Sequence, residues 1–274
     1  MTKRDLVVRI ARQTSLKQRD GFDAVVHAAA AVLRDRPPAG PVHLESDPHL
    51  VHRRSIPTQI RGPPRRGRGG SRICVECGWF MALPRLIITG SSGFIGRHLL
   101  DAFKEDFRIV GLARRSQLHC GAPVHHNITW YQVDIADRKA LATAFRYLRE
   151  SGGADYVIHL AAHYDFTGDN HPEYWRTNVE GMRNVLEECR GLALKRFIFS
   201  SSLAACAFPR PGSVLTEESP PDGDHVYAVT KRIGEEMLAE FDDVPSCIMR
   251  LAALFSDWCE YPPLYFFLET WLSE

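Results

Sequence analysis

Thr89-Gly90-Ser91-Ser92-Gly93-Phe94-Ile95-Gly96 stands between a short apolar run, Leu86–Thr89, and a stretch with helical periodicity, Ile95–Phe103. A turn that cradles a pyrophosphate belongs at such a strand-to-helix junction. Gly90 permits the tight turn, Gly93 lets the backbone approach the phosphates, and Gly96 allows the helix to pack closely on the sheet. The helix start adds free N–H groups and a partial positive charge for the anion. Ser92, Phe94 and Ile95 complete the expected binding turn.

Outward from this turn, short β runs and helices alternate. Strands are expected at Leu86–Thr89, Ile109–Ala113, Thr129–Val133, Tyr156–Leu160, Arg196–Ser200 and Ser246–Arg250. Helices are expected at Ile95–Phe103, Arg138–Glu150, Tyr174–Arg190 and Tyr227–Phe241. That alternation predicts an α/β fold, a doubly wound parallel (Rossmann) sheet covered by helices. The end of the second strand selects the dinucleotide, because an acidic residue there would bond the adenosine ribose 2′-OH of NAD. This chain has Gly111-Leu112-Ala113-Arg114-Arg115-Ser116 instead. A planar guanidinium at Arg114 or Arg115 suits a 2′-phosphate, so NADP is favoured over NAD. Farther along, Tyr227-Ala228-Val229-Thr230-Lys231 follows the run Ser200-Ser201-Ser202. Tyr and Lys four apart on a helix share a face. A free phenol titrates at about 10, and the ammonium of Lys231 is expected to lower Tyr227 toward use as a base at neutral pH.

The glycine turn, the serine run and the Tyr-Lys pair together resemble the extended short-chain dehydrogenase/reductase family, the family of NAD-dependent epimerases and dehydratases, over residues 84–274. The resemblance implies an NAD(P)-dependent oxidoreductase, epimerase or dehydratase. Such an enzyme moves hydride at a hydroxyl or carbonyl carbon of a sugar nucleotide or a small carbonyl metabolite. In that family's pattern Tyr227 exchanges a proton with the substrate oxygen and Lys231 also bonds the nicotinamide ribose. Ser202, the third serine of Phe199-Ser200-Ser201-Ser202, holds the substrate oxygen. Asp134-Ile135 resembles the position whose carboxylate meets the adenine amino group, with helix capping as the competing reading. Leu160, Ala161 and Ala162, after His159, resemble the small-residue stretch against which the cofactor lies. Asn178, in Thr177-Asn178-Val179-Glu180-Gly181, resembles a residue that orients the site by hydrogen bonding; a buried polar group of a helix is the plainer alternative.

The chain departs from this pattern at Leu203-Ala204-Ala205-Cys206-Ala207, where Tyr-Gly is common, and at Ser256-Asp257, where Gly-Pro is frequent. Family members continue well beyond this length to build a smaller domain over the substrate, so a truncated substrate domain is expected. The aromatic run Tyr261–Leu268 and Trp271-Leu272 would then be left to associate or to fold back on the sheet edge. Family members also often dimerise through the helices that carry Asn178 and Tyr227, which makes a homodimer the assembly to test.

Before Met81 the chain changes character. Residues 1–80 carry 15 Lys and Arg against 7 Asp and Glu, whereas residues 81–274 carry 19 against 26. Thr2 with Asp5, and Ser15 with Gln18, are spaced like capping boxes ahead of Leu6 and Ile10 and then Phe22, Val25, Val26, Ala29 and Leu33, which predicts a helical hairpin over 1–33. Met1–Val7 and Ser15–Asp20 resemble the start of an HU-type histone-like DNA-binding protein. No alternating strand pattern follows Leu33 to build that family's DNA-gripping arms, so nucleic acid is not the expected partner. Residues 34–80, culminating in Arg61-Gly62-Pro63-Pro64-Arg65-Arg66-Gly67-Arg68-Gly69-Gly70, bury too little apolar surface to offset chain entropy and are expected to form a disordered basic linker. The expected domains are thus 1–33, 34–80 and 81–274, the last binding NAD(P). A start of translation at Met81 stays open as an alternative.

Seven cysteines without framework spacing read as reduced thiols. Cys74 and Cys77 have only His49 and His52 near them in sequence, so no metal is expected. No apolar run approaches a membrane span and no signal-peptide pattern opens the chain, so a cytoplasmic protein with a small-molecule substrate is expected. A non-catalytic dinucleotide-binding module and a DNA-associated protein are the alternative readings.

Overall fold

Six apolar runs become six parallel strands: β1 (Arg85–Thr89), β2 (Arg108–Ala113), β3 (Ile128–Gln132), β4 (Tyr156–His159), β5 (Arg196–Ser202) and β6 (Ser246–Leu251). The computed structural model in which they are seen describes residues 20–33 and 83–254, apart from 166, 208, 210–212 and 253. Both capping boxes, residues 34–80 with Cys74 and Cys77, Met81, Ser256-Asp257 and the aromatic run from Tyr261 lie outside the described residues.

The strands lie in the order β3-β2-β1-β4-β5-β6. The order reverses between β1 and β4, and at such a point the carboxyl ends of the strands open a crevice. Thr89 pairs with His159 and His159 with Phe199, so β1, β4 and β5 are level near that crevice. The central strands are apolar along their length because both faces are covered. Leu86, Ile87 and Ile88 are each fully buried, and burying a side chain of this size contributes about 1.5–3 kcal/mol.

The helices are α1 (Asp20–Leu33), α2 (Phe94–Phe103), α3 (Arg138–Glu150), α4 (Met182–Cys189) and α5 (Val226–Glu240). Helix α3 shows why these segments coil. Its buried Leu141, Ala144, Phe145 and Leu148 recur at helical spacing, and the Asp137 side chain accepts from the backbone N–H groups of Lys139 and Ala140. Helices α3, α4 and α5 cover one face of the sheet through a cluster that includes Phe145, Leu186 and Leu238. On the other face Leu99, Leu100 and Phe103 of α2 share a cluster with Ala29 and Leu33 of α1. The second helix of the expected hairpin is thus part of the same packed unit as the sheet.

One expected helix differs from the outcome. Tyr174–Arg190 is not a single α-helix; Tyr174–Gly181 is π-helical and only Met182–Cys189 is α-helical. A Cβ at Gly181 would lie 2.8 Å from Ile135 Cδ1, so the π-helical stretch approaches the segment after β3 closely. Among the described residues no helix is long and apolar enough to cross a membrane.

Candidate active site

Gly90 bends the chain out of β1 with φ at +70°. A Cβ there would fall 2.7 Å from the Ala161 amide nitrogen, so the turn fits only because the side chain is missing. Gly96 is as confined, since its Cβ would meet the Gly90 carbonyl oxygen at 2.5 Å. Ser91 is buried and its hydroxyl donates to the Ile88 carbonyl at 2.6 Å. Gly93 stands at the start of α2, where no side chain caps the helix, leaving first-turn N–H groups to face the crevice.

A cavity of about 440 Å³ opens from this turn. Gly90, Ser92 and Gly93 border it, as do Arg114 and Arg115 at the end of β2 and Asp134 and Ile135 after β3. Leu160, Ala161 and Ala162 border it after β4. Phe94 and Ile95 pack instead into the core cluster behind the turn, and Gly96 is buried in α2. The size and the mostly apolar wall with a few polar groups are those of a ligand cavity. An elongated phosphate-bearing ligand fits the donors: uncapped helix N–H groups, two arginines, and small residues that let a flat group lie on backbone.

Arg115 donates to the Ser92 carbonyl, tying the end of β2 to the turn. Arg114 reaches the other way, its Nη1 lying 3.4 Å from Glu173 Oε2. Arg176 joins two acids, with Nη2 2.6 Å from Asp134 Oδ2 and Nη1 3.1 Å from Glu173 Oε1. Burial works against the Asp134 charge, but the Ala136 N–H and the Arg176 and Arg114 guanidiniums win and hold its carboxyl below the usual range. Asp134 also accepts from the Ala136 N–H at 3.0 Å in a local turn, but it does not cap α3, whose cap is Asp137. Neither Glu173 nor Arg176 was foreseen from the sequence.

Beyond Ala162 the chain reaches the second group of expected residues. Tyr164 packs its ring 4.5 Å from that of Tyr227, and His225 stacks near the same phenol at 6.3 Å. His225 Nδ1 also caps α5 by accepting from the Ala228 N–H. Lys231 is buried, donates from Nζ to the Ser200 carbonyl at 2.7 Å, and lies 5.5 Å from the Tyr227 ring centre. The Ser202 hydroxyl accepts from the Ala204 N–H at 3.1 Å. Ser202, Tyr227 and Lys231 thus converge where β5 ends and α5 begins.

The electrostatics differ from expectation. Burial pushes the Tyr227 phenol well above its ordinary value; the phenol groups of Tyr164 and Tyr174 push the same way through charge repulsion, and a Ser202 hydrogen bond pulls it down. Burial also lowers Lys231 to about 8, opposed by Glu235. In the protein alone desolvation of the phenolate sets the direction of the shift, and it is the Ser202 hydrogen bond that opposes it.

A buried chain of polar contacts joins the two halves of the site. His159 is neutral, lowered to about 3 by burial and next by Lys231. Thr89 Oγ1 accepts from the N–H groups of Leu160 and Ala161, so its own proton goes to His159 Nδ1 at 2.9 Å. The Ser200 hydroxyl donates to the His159 carbonyl, and the Ser200 carbonyl holds Lys231. Asn178 adds a second tie: its Oδ1 accepts from the His163 N–H at 2.6 Å and its Nδ2 donates to Thr230 Oγ1 at 3.1 Å. It therefore ties the segment after β4 to α5. Among the described residues no cluster of His, Cys, Asp or Glu is arranged to hold a metal.

The model of the NAD dependent epimerase/dehydratase family matches residues 86–263. The chain is 26% identical over 187 residues to 3beta-hydroxysteroid-dehydrogenase/decarboxylase isoform 1 of Arabidopsis thaliana, covering 62% of this chain and 41% of that protein. It is 30% identical over 165 residues to UDP-glucose 4-epimerase 2 of Oryza sativa subsp. japonica, covering 56% and 39%. The structure of the Bordetella bronchiseptica enzyme WbmG in complex with NAD and UDP superposes with a TM-score of 0.53 at 25% identity, covering 62% of this chain and 53% of that one. The chain therefore spans well under two thirds of the length of each of these proteins.

Proposed function

The chain belongs to the NAD dependent epimerase/dehydratase family, and on that premise we propose that it binds a nicotinamide dinucleotide and serves hydride transfer at a hydroxyl or carbonyl carbon of a sugar nucleotide. The observation that carries the proposal is the chain of polar contacts that runs from Thr89, next to the Gly90 turn, through His159 and Ser200 to Lys231, on the helix that bears Tyr227. The similarity to UDP-glucose 4-epimerase 2 and to an enzyme solved with NAD and UDP supports the substrate class.

When bound, the nicotinamide supplies the acceptor and donor of hydride. The chain supplies the rest. The turn and the start of α2 hold the pyrophosphate, Asp134 takes the adenine amino group, and Leu160, Ala161 and Ala162 provide a flat wall. Asn178 fixes the segment that carries Tyr164 beside the phenol. Ser202 holds the substrate oxygen, and Tyr227 gives a proton to that oxygen or takes one from it. Lys231, kept in place by the Ser200 carbonyl, stays charged below about pH 8 and bonds the nicotinamide ribose. We further propose a homodimer at work in the cytoplasm.

Arg114 and Arg115 replace the acid that favours NAD, so NADP is the preferred form. Fluorescence titration of the full chain with both cofactors tests this. NADP is expected to bind more tightly than NAD, and Arg114→Ala to weaken NADP about tenfold, or 1.4 kcal/mol, with little change for NAD. Equal loss for both cofactors would remove the 2′-phosphate role, and the absence of saturable binding by either would remove the dinucleotide reading.

A further inference from the structure

The guanidinium assigned to the 2′-phosphate already has an anionic partner. Arg114 is about half exposed and reaches Glu173 at one oxygen only, 3.4 Å away. Glu173 is held far more firmly. Arg176 Nη1 lies 3.1 and 3.2 Å from its two oxygens, and the Thr177 hydroxyl donates to Oε2 at 3.0 Å. Burial opposes the charge on this carboxyl, yet Thr177, Arg176 and Arg114 keep it below its ordinary value, so it is ionised at neutral pH. Arg115 is engaged by the Ser92 carbonyl, which leaves Arg114 as the arginine whose fork turns between ligand and carboxylate.

Resting on the dinucleotide reading of the cavity, we propose that Glu173 is a specificity-determining residue: by holding Arg114 it weakens the grip on a 2′-phosphate and keeps NAD competitive with NADP. A 2′-phosphate brings close to two negative charges. To be gripped it must take Arg114 from Glu173 and then sit near a carboxylate that Arg176 and Thr177 prevent from withdrawing. A ribose 2′-hydroxyl asks for neither. An acid contributed from the start of the π-helical stretch, remote in sequence from β2, thus stands one guanidinium away from the position where an acid selects NAD. Thr177 borders the cavity directly, so the carboxylate it holds lies against the wall and not on a remote surface.

The experiment titrates the full chain, Glu173→Gln, Arg114→Ala and the double variant with NAD and NADP, at low and at moderate ionic strength. Glu173→Gln is expected to tighten NADP binding about tenfold while leaving NAD unchanged or weaker. The gain should vanish in the double variant, because Glu173 acts through Arg114. It should also shrink with added salt, since Arg114 is exposed and its interactions are screened. A structural role alone would move both cofactors together. An unchanged NADP to NAD ratio in Glu173→Gln, or the same gain with and without Arg114, overturns the proposal while the dinucleotide reading stands. No binding of either cofactor by the native chain overturns both. Should Glu173→Gln fail to fold, Glu173→Asp, which keeps the charge but draws it back from Arg114, is expected to show a smaller shift in the same direction; no shift there also overturns it.

Discussion

Tyr227→Phe is expected to reduce turnover of a UDP-sugar substrate by about 10²–10⁴-fold, the range for loss of one positioned acid-base group, while NAD and NADP bind as before. The substitution deletes one oxygen and leaves the packing intact. The ring stays between Tyr164 and His225, the His225 cap on α5 involves only the ring nitrogen and the Ala228 N–H, and Lys231 remains fixed by the Ser200 carbonyl. A drop in melting temperature would therefore not explain a loss of rate. Unchanged turnover would remove the phenol from the chemistry. Binding without turnover in the native chain, across a panel of such substrates, would favour a non-catalytic module.

The pH profile provides an independent check. Lys231 is lowered to about 8, so its charge is present below that pH and is lost as pH rises through it. Burial holds the phenol above its ordinary value, so Tyr227 is protonated throughout that window in the protein alone. If the ammonium helps release the phenolic proton, rates should fall above about pH 8 instead of climbing with the alkaline limb of a free phenol. A profile that keeps rising well beyond that point would take Lys231 out of the proton path.

Which parts of this site could be read from the sequence follows from how local each signal is. The turn at Gly90–Gly96 was legible because each glycine answers a constraint imposed within a few residues or by the adjacent strand, as the 2.5 Å approach of a Gly96 Cβ to the Gly90 carbonyl shows. The central strands β1 and β4 were legible because both of their faces are buried and their middles are apolar. Tyr227 and Lys231 were legible as neighbours one turn apart on a helix. Their electrostatics were not, since the direction of the phenol's shift depends on tertiary burial and on Tyr164, which reaches Tyr227 from the segment after β4. The ion-pair chain of Asp134, Arg176, Glu173 and Arg114 brings together residues from after β2, after β3 and after β4. No spacing rule connects them, so Arg114 looked like an unopposed phosphate ligand. Helix α1 shows the same limit: its apolar stripe at Val25, Ala29 and Leu33 was visible, but the surface it covers, next to Leu99, Ile158 and Ile198, belongs to tertiary structure.

Gly90→Ala and Gly93→Ala are expected to fail in different ways, and the contrast separates a turn built for a ligand from one that merely joins a strand to a helix. At Gly90 the backbone has φ +70°, and the new methyl would meet backbone atoms of Leu160 and Ala161 within 3 Å. A left-handed conformation costs an L-residue about 1–2 kcal/mol, and overpacking against backbone that cannot move away adds about 1–3 kcal/mol. Gly90→Ala should lower the melting temperature markedly and abolish dinucleotide binding. Gly93 is different. Its φ of −75° and ψ of 173° suit any residue, and the only neighbour its Cβ would press on is the Gly90 carbonyl oxygen at 3.2 Å. The methyl would otherwise project into the cavity that Gly93 borders, where the phosphates approach the start of α2. Gly93→Ala should therefore melt close to the native protein while losing dinucleotide affinity by about tenfold or more, at least 1.4 kcal/mol. Calorimetry and titration on the same samples decide the matter. Equal affinity in native and Gly93→Ala proteins would mean that no phosphate sits against this turn, and the assignment of the cavity to a dinucleotide would fail even if Gly90→Ala unfolded as expected.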